Sequence, residues 1–246
     1  MTAQRIVLTA ALSAVLPLAG SAPASAQDGF LLGAPSMSAT FRVGPVMHRA
    51  QSQVFDFIVS ELTLERDDFT APSLGVEVTY AAHPRLDLSL GVAWAQTETQ
   101  SEFREFIDED DQPIEQVTRL RTVPLSASAR VYPFSRGRAV SSLAWLPTRT
   151  TPYIGAGIDL VGYKLQQVGD FVAVDYTISA QDYQSTGSAT TLHARLGVDH
   201  WFSPKVGLNL EGRYTHGSAQ LDGDFRAHER LDLRGINAGM GLTVRW

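Results

Sequence analysis

Residues 235–246 read Gly235-Ile236-Asn237-Ala238-Gly239-Met240-Gly241-Leu242-Thr243-Val244-Arg245-Trp246. Ile236, Ala238, Met240, Leu242, Val244 and Trp246 share one parity, and Asn237, Gly239, Gly241, Thr243 and Arg245 share the other. A period of two places successive side chains on opposite faces of a strand. The stretch is therefore a strand with one unbroken apolar face and one face of small, polar and cationic residues. The pattern recurs upstream. Leu74, Val76, Val78 and Tyr80 alternate with Gly75, Glu77 and Thr79; Leu86, Leu88, Leu90, Val92 and Trp94 with Asp87, Ser89, Gly91 and Ala93; Val123, Leu125, Ala127, Ala129 and Val131 with Thr122 to Arg130. Ile154 to Leu160, Leu192 to Val198 and Leu208 to Tyr214 repeat it, and a poorer example covers Ser38 to Met47. The total is about eight segments, each near the ten residues that a membrane-crossing strand needs.

The polar face decides what these strands build. A sandwich needs two apolar inner faces, yet this face carries Arg42, Arg130, Arg195, Arg213 and Arg245 together with Glu77, Asp87, Asp159, Asp199 and Glu211. Charges enclosed away from water must pair, and equal numbers of each sign suit a self-neutralising barrel lumen. Glycine and alanine at neighbouring inward positions leave room for the arginines. The expected fold is all-β: an eight-stranded antiparallel transmembrane up-and-down barrel with long extracellular loops. Such a lumen is filled by side chains and is not expected to act as a general porin.

The rest of the composition agrees. The 246 residues are 44% hydrophobic and 19% charged, with no cysteine and a formal charge of −6. Absent cysteine excludes disulfides, thiolate chemistry and Cys-based metal sites, and the acidic balance argues against nucleic acid. Residues 1–26 read as a cleaved signal peptide: Arg5, an apolar run from Ile6 to Leu18, and Ala24-Ser25-Ala26 before Gln27. That leaves 27–246 as one barrel domain. No downstream run approaches the roughly 18 apolar residues of a transmembrane helix.

Connections give the topology. Short turns at 83–85 and 203–205 alternate with long polar segments near 48–70, 98–118, 166–188 and 217–231, the asymmetry of periplasmic turns and extracellular loops. Residues 135–151, with Arg136, Arg138, Trp145 and Arg149, are expected along the inner headgroup surface. Tyr80, Tyr132, Phe134, Tyr153, Phe202 and Trp246 at one end, and Trp94, Tyr163 and Tyr214 at the other, are expected as aromatic girdles. Within 51–62, Val54, Phe55, Ile58 and Leu62 have helical spacing, which predicts a short amphipathic helix packed on the barrel mouth. Asp108-Glu109-Asp110-Asp111 lacks the glycine and distal Glu of a calcium loop and reads as a solvated loop. No metal or cofactor is expected.

The Ala-Ser-Ala signal end, the strand Pro152-Tyr153-Ile154-Gly155-Ala156-Gly157-Ile158 and the closing Gly239 to Trp246 resemble the outer-membrane β-barrel superfamily, with its small eight-stranded members of the OmpA, OmpX and OmpW kinds. The resemblance covers essentially the mature chain. It implies a monomer in the Gram-negative outer membrane, contact with lipids and lipopolysaccharide, and Trp246 as the signal read by the barrel-assembly machinery. It leaves the function open among structural tethers, surface adhesins, passage of small apolar solutes as in the OmpW kind, and enzymes. A structural and surface-interaction role is the expectation. The enzyme rival is lipid A deacylation: His216-Gly217-Ser218 is similar to that family's His-x-Ser element, with Asp232 or Glu229 as the orienting acid, but Ala219 stands where that family has Asn.

Overall fold

The computed structural model describes residues 31–246 except 108–110, 142–143, 173–176 and 229. The expected signal segment 1–26, most of the acidic run at 108–111, and Glu229 lie outside the described residues.

Eight strands close into an antiparallel ring: β1 (Met37–His48), β2 (Thr70–His83), β3 (Leu86–Ile107), β4 (Pro113–Val131), β5 (Thr150–Val172), β6 (Ile178–Trp201), β7 (Val206–His216) and β8 (Gly235–Arg245). Each pairs with its sequence neighbours, and β8 returns to β1 with Ser38 opposite Arg245 and Phe41 opposite Leu242. Backbone bonds between Met37 and Trp246 tie both termini of the ring to one end. The turns at 84–85 and 202–205 lie at that end too, which identifies it as periplasmic.

Alternation becomes an inside-out protein. Leu90, Leu125, Ile154, Leu192, Leu196 and Leu242 are all more than half exposed, Leu196 at 68%. The opposite parity holds Glu77, Asp87, Arg130, Asp159, Arg195 and Glu211, all buried. An exposed apolar band encircling a closed polar interior is a surface made for hydrocarbon and not for water. A continuous ladder leaves no backbone edge unpaired in lipid. One interruption occurs on the β1–β8 seam, where pairing stops at Val43–Met240 and resumes at Val46–Asn237 across Gly44 and Pro45; proline has no N–H to offer a ladder.

Strand length departs from the expected ten residues. β1, β2, β7 and β8 have 11–14 residues, but β3 to β6 have 19–24. The long four extend past the apolar belt as a wall on the extracellular side. Into the concave side of this wall fold the two long connections 49–69 and 217–234. The first carries α1 (Gln53–Glu61), the helix expected at 51–62; its Val54, Phe55 and Ile58 are fully buried. These pack with Leu62, Leu64 and Phe69 against Leu120, Val161, Tyr163 and Leu165 of the wall and Leu221, Phe225, Leu231 and Leu233 of the last loop. Phe55 meets Phe69 edge to face at 4.6 Å between ring centres. The apolar core of this molecule is thus an extracellular cap over the barrel mouth.

Three of the aromatics expected in the girdles point inward instead. Tyr132 and Tyr153 are 3% and 2% exposed and reach lumen carboxylates, because a phenol hydroxyl in reach of an acceptor gains more there than at the headgroups. Tyr163 is buried in the cap and donates to the Gln220 carbonyl at 2.5 Å. Tyr80, Phe134, Phe202, Trp94, Tyr214 and Trp246 are exposed. Residues 135–151 differ from expectation as well: a small hairpin, Gly137–Ser141 with Ala144–Pro147, folds beneath the periplasmic mouth. Arg136 draws it there, donating to the carbonyls of His83 and Pro84 and to Asp87.

Candidate functional site

The lumen is organised in three tiers. In the middle tier Glu77 from β2 faces Arg130 from β4, Arg195 from β6 at 2.5 Å, and Arg42 from β1 at 3.8 Å. Glu211 from β7 meets Arg42 at 3.3 Å, Arg195 at 3.4 Å and Arg130 at 4.0 Å, and accepts the Tyr153 hydroxyl at 2.6 Å. Arg195 also donates to Ser89 and Ser128, both at 2.5 Å. Three guanidiniums and two carboxylates from β1, β2, β4, β6 and β7 are thus cross-linked through the centre of the ring. Asn209 joins this tier to the next, accepting from Arg42 at 2.8 Å and donating to Asp199 at 2.7 Å.

Towards the extracellular side, Asp159 on β5 is held by Arg213 of β7 and by His193 at 3.0 Å, and accepts Thr191 at 3.3 Å. A cavity of about 100 Å³ between this tier and the cap is lined by Arg42, Asp159, Glu211 and Arg213, and by Val43, Gly44 and Ile236 at the interrupted seam.

Towards the periplasm, Tyr132 bridges Asp87 at 3.0 Å and Asp199 at 3.2 Å, and Arg136 binds Asp87 at 2.7 Å. Arg245 lies across the Trp201 ring at 3.5 Å and near Trp145 at 5.3 Å. This tier surrounds an open vestibule of about 340 Å³.

All ten charged residues read as inward from strand parity line this interior, Arg42 and Arg213 with partial exposure. Sequence reading missed Arg136, Tyr132, Tyr153, His193 and Asn209 as members of the network. His193 and Asn209 carried the signal, since they share the parity of Arg195 and Glu211; Arg136 lies outside any strand and had none.

The candidate catalytic group is not assembled. His216 ends β7 on the exposed face, and Ser218 starts a separate short pair, 218–220 with 230–232, in which it sits opposite Asp232. Among the described residues no hydrogen bond joins His216 to either. The Asp232 carboxylate instead accepts Arg234 through Nε at 2.8 Å, Nη2 at 3.0 Å and its amide at 3.0 Å, plus the Gln51 amide at 3.1 Å. Burial pushes this carboxyl up, but the hydrogen bonds from Arg234 and Gln51 outweigh it and hold the group below the ordinary aspartate value. Asp232 therefore serves as the rivet between the two cap loops. Among the described residues no cluster of three potential metal ligands occurs.

No family model matches the sequence, and no curated protein does. Among solved structures, similarity is found to Neisserial surface protein A (14% identity, TM-score 0.49, covering 89% of this chain and 97% of that one). It is also found to the outer membrane protein OprG from Pseudomonas aeruginosa (14%, 0.46, 88% and 100%) and to Ail, the attachment invasion locus protein of Yersinia pestis (10%, 0.38, 85% and 98%). The closed ring, the apolar belt and the polar interior, taken together, make this chain a small eight-stranded antiparallel outer-membrane β-barrel.

Proposed function

We propose that this protein is a non-conducting barrel that acts through its extracellular face, as a membrane-anchored scaffold for surface contact. The observation that carries the reading is double closure: the ion-paired middle tier fills the lumen, and the apolar cap covers its outer mouth. An eight-stranded interior has room only for side chains, so a general porin role finds no support. The tall wall of β3 to β6, with the cap set into it, is the part that faces outward. Its expected partners are lipopolysaccharide and outer-membrane lipids around the belt, with the barrel-assembly machinery engaging Trp246 during insertion, and the protein is expected to work as a monomer. Planar-bilayer recordings of the refolded chain test closure: no stable conductance is expected, and a reproducible ohmic pore overturns the reading. Shortening the β3–β4 and β5–β6 hairpins to the belt should reproduce the phenotype of whole-gene deletion; a wild-type phenotype would remove the wall from the function.

Passage of a small apolar solute sideways into the membrane is the second reading. The ladder gap at Gly44–Pro45 beside a cavity favours it, but that cavity is small and its inner side is charged, so it ranks below the scaffold. Lipid A deacylation is not proposed, because Asp232 is committed to Arg234 and, among the described residues, no hydroxyl is hydrogen-bonded to His216.

A further inference from the structure

We propose that the periplasmic vestibule binds a small organic carboxylate, with Arg245 as the residue that receives it. The cavity, about 340 Å³, is of the size that takes small molecules. Three arginines line it, and two are committed: Arg130 to Glu77, and Arg136 to Asp87. Arg245 is different. The residue is 5% exposed, its guanidinium is laid on Trp201 with Trp145 nearby, and its Nε donates to the Pro204 carbonyl at 2.7 Å. Among the described residues no carboxylate lies within 4 Å of it, and none is hydrogen-bonded to its buried Nη2. On the same cavity the Thr79 hydroxyl is also buried, with no hydrogen-bond partner among the described residues.

A buried cationic donor left without an acceptor is costly, and among the described residues Asp199 acts on Arg245 only through the cavity, with no direct hydrogen bond. A fixed, planar guanidinium fork is matched by a carboxylate. Two features narrow the class. The half-buried Trp145 indole on the cavity wall offers apolar surface to an organic body, which an inorganic ion would leave unused. Asp87, which is paired with Arg136, and Asp199 line the same cavity and oppose any anion in proportion to its charge, so a monoanion fits better than phosphate. The mouth opens on the periplasmic side, so the carboxylate belongs either to a free small molecule or to the C-terminus of a short peptide.

The full chain refolded in detergent provides its own reporter, because Trp145 and Trp201 line the cavity whereas Trp94 and Trp246 face outward. Sodium benzoate should change tryptophan emission saturably, with the neutral isostere benzamide at least tenfold weaker and Arg245→Gln losing the benzoate response by a similar factor. Comparing benzoate with N-acetyl-alanyl-alanine then assigns the source: tighter binding of the first points to a free carboxylate, and of the second to a peptide terminus. Equal responses to benzoate and benzamide, an unaltered response in Arg245→Gln, or saturation by inorganic phosphate alone would overturn the assignment. Should Arg245→Gln fail to refold, the benzoate–benzamide comparison on the unmodified chain decides.

Discussion

Replacing Glu77 by glutamine removes one of two carboxylates from a cluster that contains three guanidiniums. In the native lumen Glu77 contacts Arg130, Arg195 and Arg42, and Glu211 contacts the same three at 3.3–4.0 Å. Glu77→Gln keeps the shape and leaves three buried cations sharing Glu211. Breaking a buried pair by deleting one partner costs about 3–5 kcal/mol, because the surviving charge stays desolvated. With a urea slope of about 2 kcal/mol per M, the unfolding midpoint of the lipid-embedded barrel should fall by about 1.5–2.5 M, read from tryptophan emission and from loss of the compact, heat-modifiable gel form. Adding Arg195→Met to Glu77→Gln removes the most enclosed of the cations and should recover part of the loss. If Glu77→Gln unfolds at the wild-type midpoint, or if the double variant is weaker than the single one, the tier does not brace the ring and the account of the lumen is wrong.

Phe55→Ala should cost the cap about 3–5 kcal/mol while the barrel persists: hydrogen exchange is expected to accelerate across 50–69 and 219–233, with the β1–β8 ladder unchanged. Gly157→Ala should block barrel formation, since a Cβ there would lie 2.3 Å from the Ala127 carbonyl and 2.7 Å from His193, whereas Gly212→Ala meets nothing within 4 Å and should refold normally in the gel-shift assay. Cap docking should depend on acid. Asp232 has its folded value depressed, so the stability it contributes is present above the unperturbed 3.8 and is lost as pH falls through the lower folded value; the Gln51 amide, which donates to this carboxylate, should shift over that range by NMR and should not do so in Asp232→Asn.

How much the sequence disclosed follows from the range of the forces involved. Dyad alternation is local, and it placed β8, the lumen parity of Arg195 and Glu211, and the belt residues such as Leu196. Helical spacing was local too, and it located α1. At Tyr153 two local signals conflict: it precedes Ile154 by one residue, so parity turns it inward, whereas the preference of aromatic rings for headgroups points outward, and the hydrogen bond to Glu211 decides for parity. Val161, Tyr163 and Leu165 were hidden for another reason. They are apolar on the inward parity, against the rule that holds from Ile154 to Leu160, and the partners that make this sensible, Val54, Phe55 and Phe225, lie 60 residues or more away in sequence. Arg136 and Asp232 found their roles through loop closure, for which no short-range pattern exists.

The inversion at Val161 sets an order of events. Below it β5 is dressed for lipid, and beyond it the same strand is dressed for an ordinary water-facing core, made jointly with segments from both cap loops. None of those side chains can find its partners until the long strands and both loops have been translocated to the far side of the bilayer. Once gathered, they would have to be separated again, and Asp232 freed from Arg234 and Gln51, before any strand could slip back. The cap is in this sense a pawl: it gives the inserted barrel a direction, converting completed transit into a state that resists reversal without any external energy source.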